Sequence, residues 1–117
     1  MLMGVQADEA RGRPAAENEQ ALRNAAKAGR TAKARVLLAA GTDPDAVDVN
    51  GETALRYAAE QAHDEAVGAL AEGGADLDKA GVFGVTPLME AAREGHSGAV
   101  RRLLEMGADH TLSLIHI

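Results

Sequence analysis

Side chains able to do chemistry are few in kind. The four histidines stand at 63, 96, 110 and 116, and cysteine is absent, which excludes a thiolate zinc site, a disulfide and a Cys nucleophile. No histidine pair has the HxxxH or HExxH spacing that places two imidazoles on one helix face around zinc. His63 and His96 lie 33 residues apart in matching surroundings, which points to a repeated structural role at a turn. Ser97 follows His96, but neighbouring side chains diverge, and a nucleophile needs a base aimed at its hydroxyl and a third group to orient that base. Ser97 reads as a helix cap instead. Asp43, Asp76 and Asp109 recur at the same interval, so they belong to repeated turns rather than to a unique acid/base pair. Asp43-Pro-Asp-Ala-Val-Asp48 lacks the central glycine and the terminal glutamate of a calcium loop. Gly81-Val-Phe-Gly84 lacks the Lys and Ser/Thr of a phosphate loop. The expectation is a chain with no catalytic residue, no cofactor and no metal.

Composition bounds the core and the partners. Of the 117 residues 26 are alanine, against one Phe, one Tyr and no Trp, so a deep core of bulky side chains is not expected. The net charge is −6, with the 12 Lys and Arg dispersed along the chain, whereas nucleic-acid binding needs a basic face. No apolar run approaches the roughly 20 residues that span a bilayer, and acidic residues intrude too early for a signal peptide. A soluble, unexported chain, cytoplasmic and bound to neither nucleic acid nor membrane, is expected.

The elements that must position any site follow from self-comparison. Gly51-Glu-Thr-Ala-Leu-Arg-Tyr-Ala-Ala59 aligns without a gap on Gly84-Val-Thr-Pro-Leu-Met-Glu-Ala-Ala92, 33 residues later. Downstream, Val67 falls on Val100, Leu70 on Leu103, and Gly74-Ala75-Asp76 on Gly107-Ala108-Asp109. One interval upstream stand Leu22, Ala25-Ala26, Leu37 and Gly41-Thr42-Asp43. Three units result, over 18–50, 51–83 and 84–111. Each reads as two short antiparallel helices. Thr53 and Thr86-Pro87 open the first helix by capping free N–H groups. Gly29, Ala62 and Gly95 close it, with Ala62 the misfit where a left-handed backbone is needed. Thr31, Asp64 and Ser97 are expected to cap the second helix, and Gly41, Gly74 and Gly107 to end it. Helices are predicted near 21–28, 32–40, 54–61, 65–73, 87–94 and 98–106. Gly68 and Gly98 fall inside two of them, each weakening its helix by about 1 kcal/mol relative to Ala. Segments this short are not stable alone, so they must bury their apolar stripes on the next unit. Small alanines permit that close approach.

At these residues the chain resembles the ankyrin repeat family: the 33-residue period, Thr86-Pro87-Leu88, the Ala-Ala pairs, Gly95-His96 and the Gly-Ala-Asp triplets all fit. The resemblance covers about residues 18–111. It implies an all-α solenoid of three stacked helix-turn-helix units with hairpin-like finger loops, whose fingers and first helices form a concave surface that binds other proteins. The family's contact positions fall here on Val47, Val49, Asn50, Glu52, Glu60 and Gln61, then on Ala80, Val82, Phe83, Val85, Arg93 and Glu94. Val47, Val49, Val82, Phe83 and Val85 would make an apolar rim suited to a partner, or pack within and between the fingers. Arg56 and Met89 replace the family's usual histidine, and Gln20-Ala21-Leu22-Arg23 replaces the motif in the first unit, as in an N-terminal capping repeat. Asp78 stands where the family often has Asn, and Gly81 where it often has Asp, which bears on the second finger's turn.

The two ends read differently. Residues 1–17 lack apolar periodicity and read as a disordered leader or the worn remnant of another unit. Leu112-Ser-Leu-Ile-His-Ile117 breaks the composition abruptly and looks like the in-frame translation of a transposase end sequence, a non-native scar; the alternative is a genuine apolar strand or cap. With the scar, the chain is part of a longer one; otherwise a monomer is expected. The leading function is a non-catalytic module binding a protein partner. Its alternative is the regulatory or substrate-docking segment of an enzyme whose catalytic domain lies beyond Thr111.

Overall fold

The computed structural model describes residues 14–81 and 83–109; Val82 and the expected tail 112–117 lie outside them. Within them the chain is all helical: α1 Ala15–Ala28, α2 Thr31–Ala39, α3 Ala54–Glu60, α4 Asp64–Glu72, α5 Pro87–Arg93 and α6 Ser97–Glu105. The pairs α1–α2, α3–α4 and α5–α6 pack as hairpins, α1, α3 and α5 stack into an inner layer, and α2, α4 and α6 into an outer one.

Helix ends fall within one residue of expectation except the first, which begins at Ala15 instead of 21. Pro14 stands at its N-cap and Glu17 lies in the first turn, where its charge meets the exposed N–H groups favourably. Thr53 and Thr86 cap α3 and α5 as expected, their Oγ1 atoms accepting from the Arg56 and Met89 N–H groups at 3.2 Å each. Thr31, Asp64 and Ser97 do not cap. They are the first helical residues, and no side-chain bond closes the ends before them. The connections, two residues long at 29–30 and three at 61–63 and 94–96, put Arg30, His63 and His96 at the N-cap, and none of these side chains caps. Instead the Thr31 and Ser97 N–H groups donate to the Gly29 and Gly95 carbonyls at 3.0 and 3.1 Å, in tight inverse γ-turns centred on Arg30 and His96.

The connection depends on a left-handed residue. Gly29, Ala62 and Gly95 have φ of 72°, 60° and 75°, and the next N–H reaches back five residues to Ala25, Ala58 or Ala91, satisfying the carbonyls at the helix end. Ala62 alone carries a Cβ into this region.

Leu22, Leu55 and Leu88 fill the inner layer, Leu37, Leu70 and Leu103 the outer, and Ala25, Ala26, Ala58, Ala59 and Ala91 are buried between stacked units. Ala92, whose equivalents Ala26 and Ala59 are covered by the next unit, is exposed at the end of the described stack.

Candidate functional site

The first finger turns on Asp48. Its N–H donates to the Glu52 carbonyl at 3.1 Å and its carbonyl accepts from Gly51 at 2.9 Å, with Gly51 at φ 75°. Its Oδ1 also accepts from the Asn50 and Glu52 N–H groups at 2.9 and 3.0 Å. The Tyr57 hydroxyl, on α3, donates to Oδ2 and so ties finger to helix. Burial, then the bond to Asp48, push the Tyr57 phenol up to about 12, while Lys27 Nζ stands 4.2 Å over the ring.

The second finger keeps the backbone pattern without the carboxylate. Gly81 N–H donates to Val85 at 3.1 Å and Gly84 N–H to Gly81 at 3.0 Å, with Gly84 at φ 73°. Replacing Asp by Gly therefore preserves the hairpin turn and frees the space beside it. Glu52 of the preceding finger takes that space, since a Cβ on Gly81 would collide with its Oε1. Glu90 occupies the register of Tyr57, so the Tyr57–Asp48 tie has no counterpart here.

Two groups emerge from the expected contact residues. At the fingertips Val49 is fully exposed, Phe83 is 89% exposed, and Val47 also faces solvent, beside exposed Asn50 and Ala80. Val85 is half-buried at the finger base. Gln61 is exposed at the C-terminal end of α3, and Val82 lies outside the described residues.

The second group, Glu52, Glu60, Arg93 and Glu94, gathers around two residues that sequence reasoning missed, Arg56 and Glu90. Arg56 sends Nε toward Glu52 Oε1 at 3.3 Å, one terminal nitrogen toward Glu60 Oε2 at 3.6 Å and the other to Glu90 Oε1 at 3.0 Å. Arg93 meets the same Glu90 oxygen at 2.6 Å. Burial acts to raise the Glu90 carboxyl, but the Arg93 hydrogen bond and the charges of Arg56 and Arg93 outweigh it and hold it below the ordinary value. For Glu52 burial prevails over Arg56, helped by the surrounding carboxylates, and its carboxyl is raised. The i, i+4 spacing of Glu52, Arg56 and Glu60 was a readable signal; the Arg56–Glu90 pair joins two units and needs the stack itself.

His63 and His96 do structural work. His63 Nε2 lies 3.0 Å from the Lys27 carbonyl and His96 Nε2 2.8 Å from that of Glu60, so each imidazole donates to an orphan carbonyl at the end of the preceding inner helix. Glycine at 29 makes room for the first ring: a Cβ there would stand 2.7 Å from His63 Nδ1.

The family model described as ankyrin repeats, in three copies, matches residues 6–113. The chain belongs to the ankyrin repeat family. Among curated proteins, none matches the chain. Ankyrin repeats are generally protein–protein interaction modules and typically non-catalytic. The ankyrin match begins upstream of residue 18 and runs two residues past Thr111. Among the described residues no helix is long and apolar enough to cross a membrane.

Proposed function

We propose that this chain binds a protein partner through its fingertips and inner-helix surface, with Val47, Val49 and Phe83 as apolar anchors and the Glu52, Glu60, Arg93 and Glu94 cluster as the polar floor. The observation that carries the reading is the exposure of Val49 and Phe83 on fingers held by defined backbone bonds. An exposed ring on an ordered loop gains little within the chain, and aromatic anchors commonly dominate interface energy. Because the turns are already formed, little ordering entropy is lost on binding. Residues 18–50, 51–83 and 84–111 serve as the three repeats, so both described fingers contribute.

A photo-crosslinking side chain placed at position 83 tests this against the same group at Glu72, an exposed position on the outer layer. Capture of one protein from position 83 and not from 72 is expected. Equal capture from both, or capture from 72 alone, would put the binding surface elsewhere.

A further inference from the structure

Glu90 is the anomaly of the inner surface. Its side chain is wholly buried, its Oε1 serves both Arg56 and Arg93, and its Oε2 is buried without a donor, while the Glu94 carboxyl interacts with the same side chain. A buried carboxylate oxygen without a donor is costly, and a ligand that donates to it would remove that cost. Carboxylate oxygens of Glu60, Glu90 and Glu94 lie within 4.8 Å of one another, although they come from two successive repeats. With Glu52 added, four carboxylates face two guanidiniums, leaving a local charge of −2. This place asks for one more cation.

A divalent metal fits poorly. It would need several of these oxygens at about 2.3 to 2.6 Å, while two guanidiniums already lie 2.6 and 3.0 Å from Glu90 Oε1. A guanidinium fits better. Its planar fork can donate to two carboxylate oxygens at once, and its spread charge tolerates neighbouring arginines. The way in passes flexible side chains, since the Arg93 side chain is 63% exposed and Glu94 is exposed. We propose that Glu60, Glu90 and Glu94 form a seat for an arginine side chain from a basic segment of the partner protein. This rests on the reading of the chain as a partner-binding module and names the chemistry of that partner.

The test titrates the full chain with an Arg-Gly-Arg-Gly peptide, with its citrulline analogue, and with calcium chloride, following backbone amide signals by NMR. The arginine peptide should give saturable shifts at Glu60 and residues 90–94, and the citrulline analogue none. Glu60→Gln with Glu94→Gln, both outside the core, should weaken the arginine peptide about tenfold or more, the effect of losing a charge-assisted contact. Equal shifts from the citrulline peptide, shifts scattered over Glu17, Glu65 and Glu105 as well, or saturation by calcium alone would overturn the proposal. The two readings separate cleanly. A partner crosslinked from position 83 that binds the parent and the double variant equally would leave the module reading standing and remove the arginine seat. Saturable arginine binding without any partner captured from position 83 would keep the seat and remove the fingertip surface.

Discussion

The carboxylate of Asp45 reaches forward into the next repeat and accepts the backbone N–H of Asp76 at 2.7 Å. Asp78 does the same for Asp109, also at 2.7 Å. Within each turn the first aspartate holds the second: Asp43 Oδ1 accepts from Asp45 N–H at 2.9 Å and Asp76 Oδ1 from Asp78 N–H at 3.0 Å. The aspartates thus form a ladder of backbone-to-carboxylate bonds along the stack. Lys79 Nζ adds a bond to the Asp45 carbonyl at 2.8 Å.

Asp45→Ala removes the carboxylate from the Asp76 N–H and should destabilise the array by about 1.5 kcal/mol, the low end for a bond to a charged group, as suits a solvent-facing position. Asp45→Asn keeps an acceptor oxygen and should cost less. Urea titration of both variants checks the order; equal midpoints for the parent and Asp45→Ala would remove the ladder from the stability of the stack.

Ala62 holds φ 60° where its equivalents are Gly29 and Gly95. A left-handed alanine is strained by roughly 1 to 2 kcal/mol, and the unfolded-state freedom of glycine offsets about half of that. Ala62→Gly should therefore stabilise the chain by about 0.5 to 1 kcal/mol, visible as a higher melting temperature.

Leu70 is wholly buried in the outer helix of the middle unit, which packs on both neighbours. Leu70→Ala should cost about 2 to 5 kcal/mol. In an array this short, such a loss should unfold all three units in one transition followed by circular dichroism. A melting curve matching the parent would take Leu70 out of the core.

How much of this was legible follows from the kind of interaction. The period of 33, the Thr53 and Thr86 caps and the left-handed positions are local or repeated, so single residue types carried them. The extra turns of α1 were not legible, because Ala15 to Gln20 shows no apolar stripe and is helical through propensity and its acidic first turn. The starts of α2, α4 and α6 misled because Thr31, Asp64 and Ser97 have good capping side chains, yet the tight backbone turn leaves them nothing to cap. Arg56 and Glu90, 34 residues apart, meet only through stacking, and Gly81 matters chiefly for the space it yields to Glu52.

Tyr57 is the sole tyrosine, so phenolate absorbance reports on it alone. Its phenol, pushed from 10.0 to about 12, keeps its proton in the folded chain after the unfolded chain has lost it. The stability it contributes is fully present below pH 10.0 and is lost as pH rises toward about 12. Phenolate should form at higher pH in the native protein than in urea, and Tyr57→Phe should flatten the alkaline loss of stability. Coincident titrations would mean that the tie to Asp48 is absent in solution.

The most direct test pairs two measurements on Phe83→Ala, using the partner captured from position 83 in the parent chain. Phe83 is 89% exposed, so denaturant titration should place the variant within about 0.5 kcal/mol of the parent, as for surface substitutions generally. Calorimetry should show partner binding weakened by about 2 kcal/mol, the scale of an interface hot spot. Loss of folding stability with unchanged affinity per folded molecule would make Phe83 a structural residue and contradict the fingertip surface.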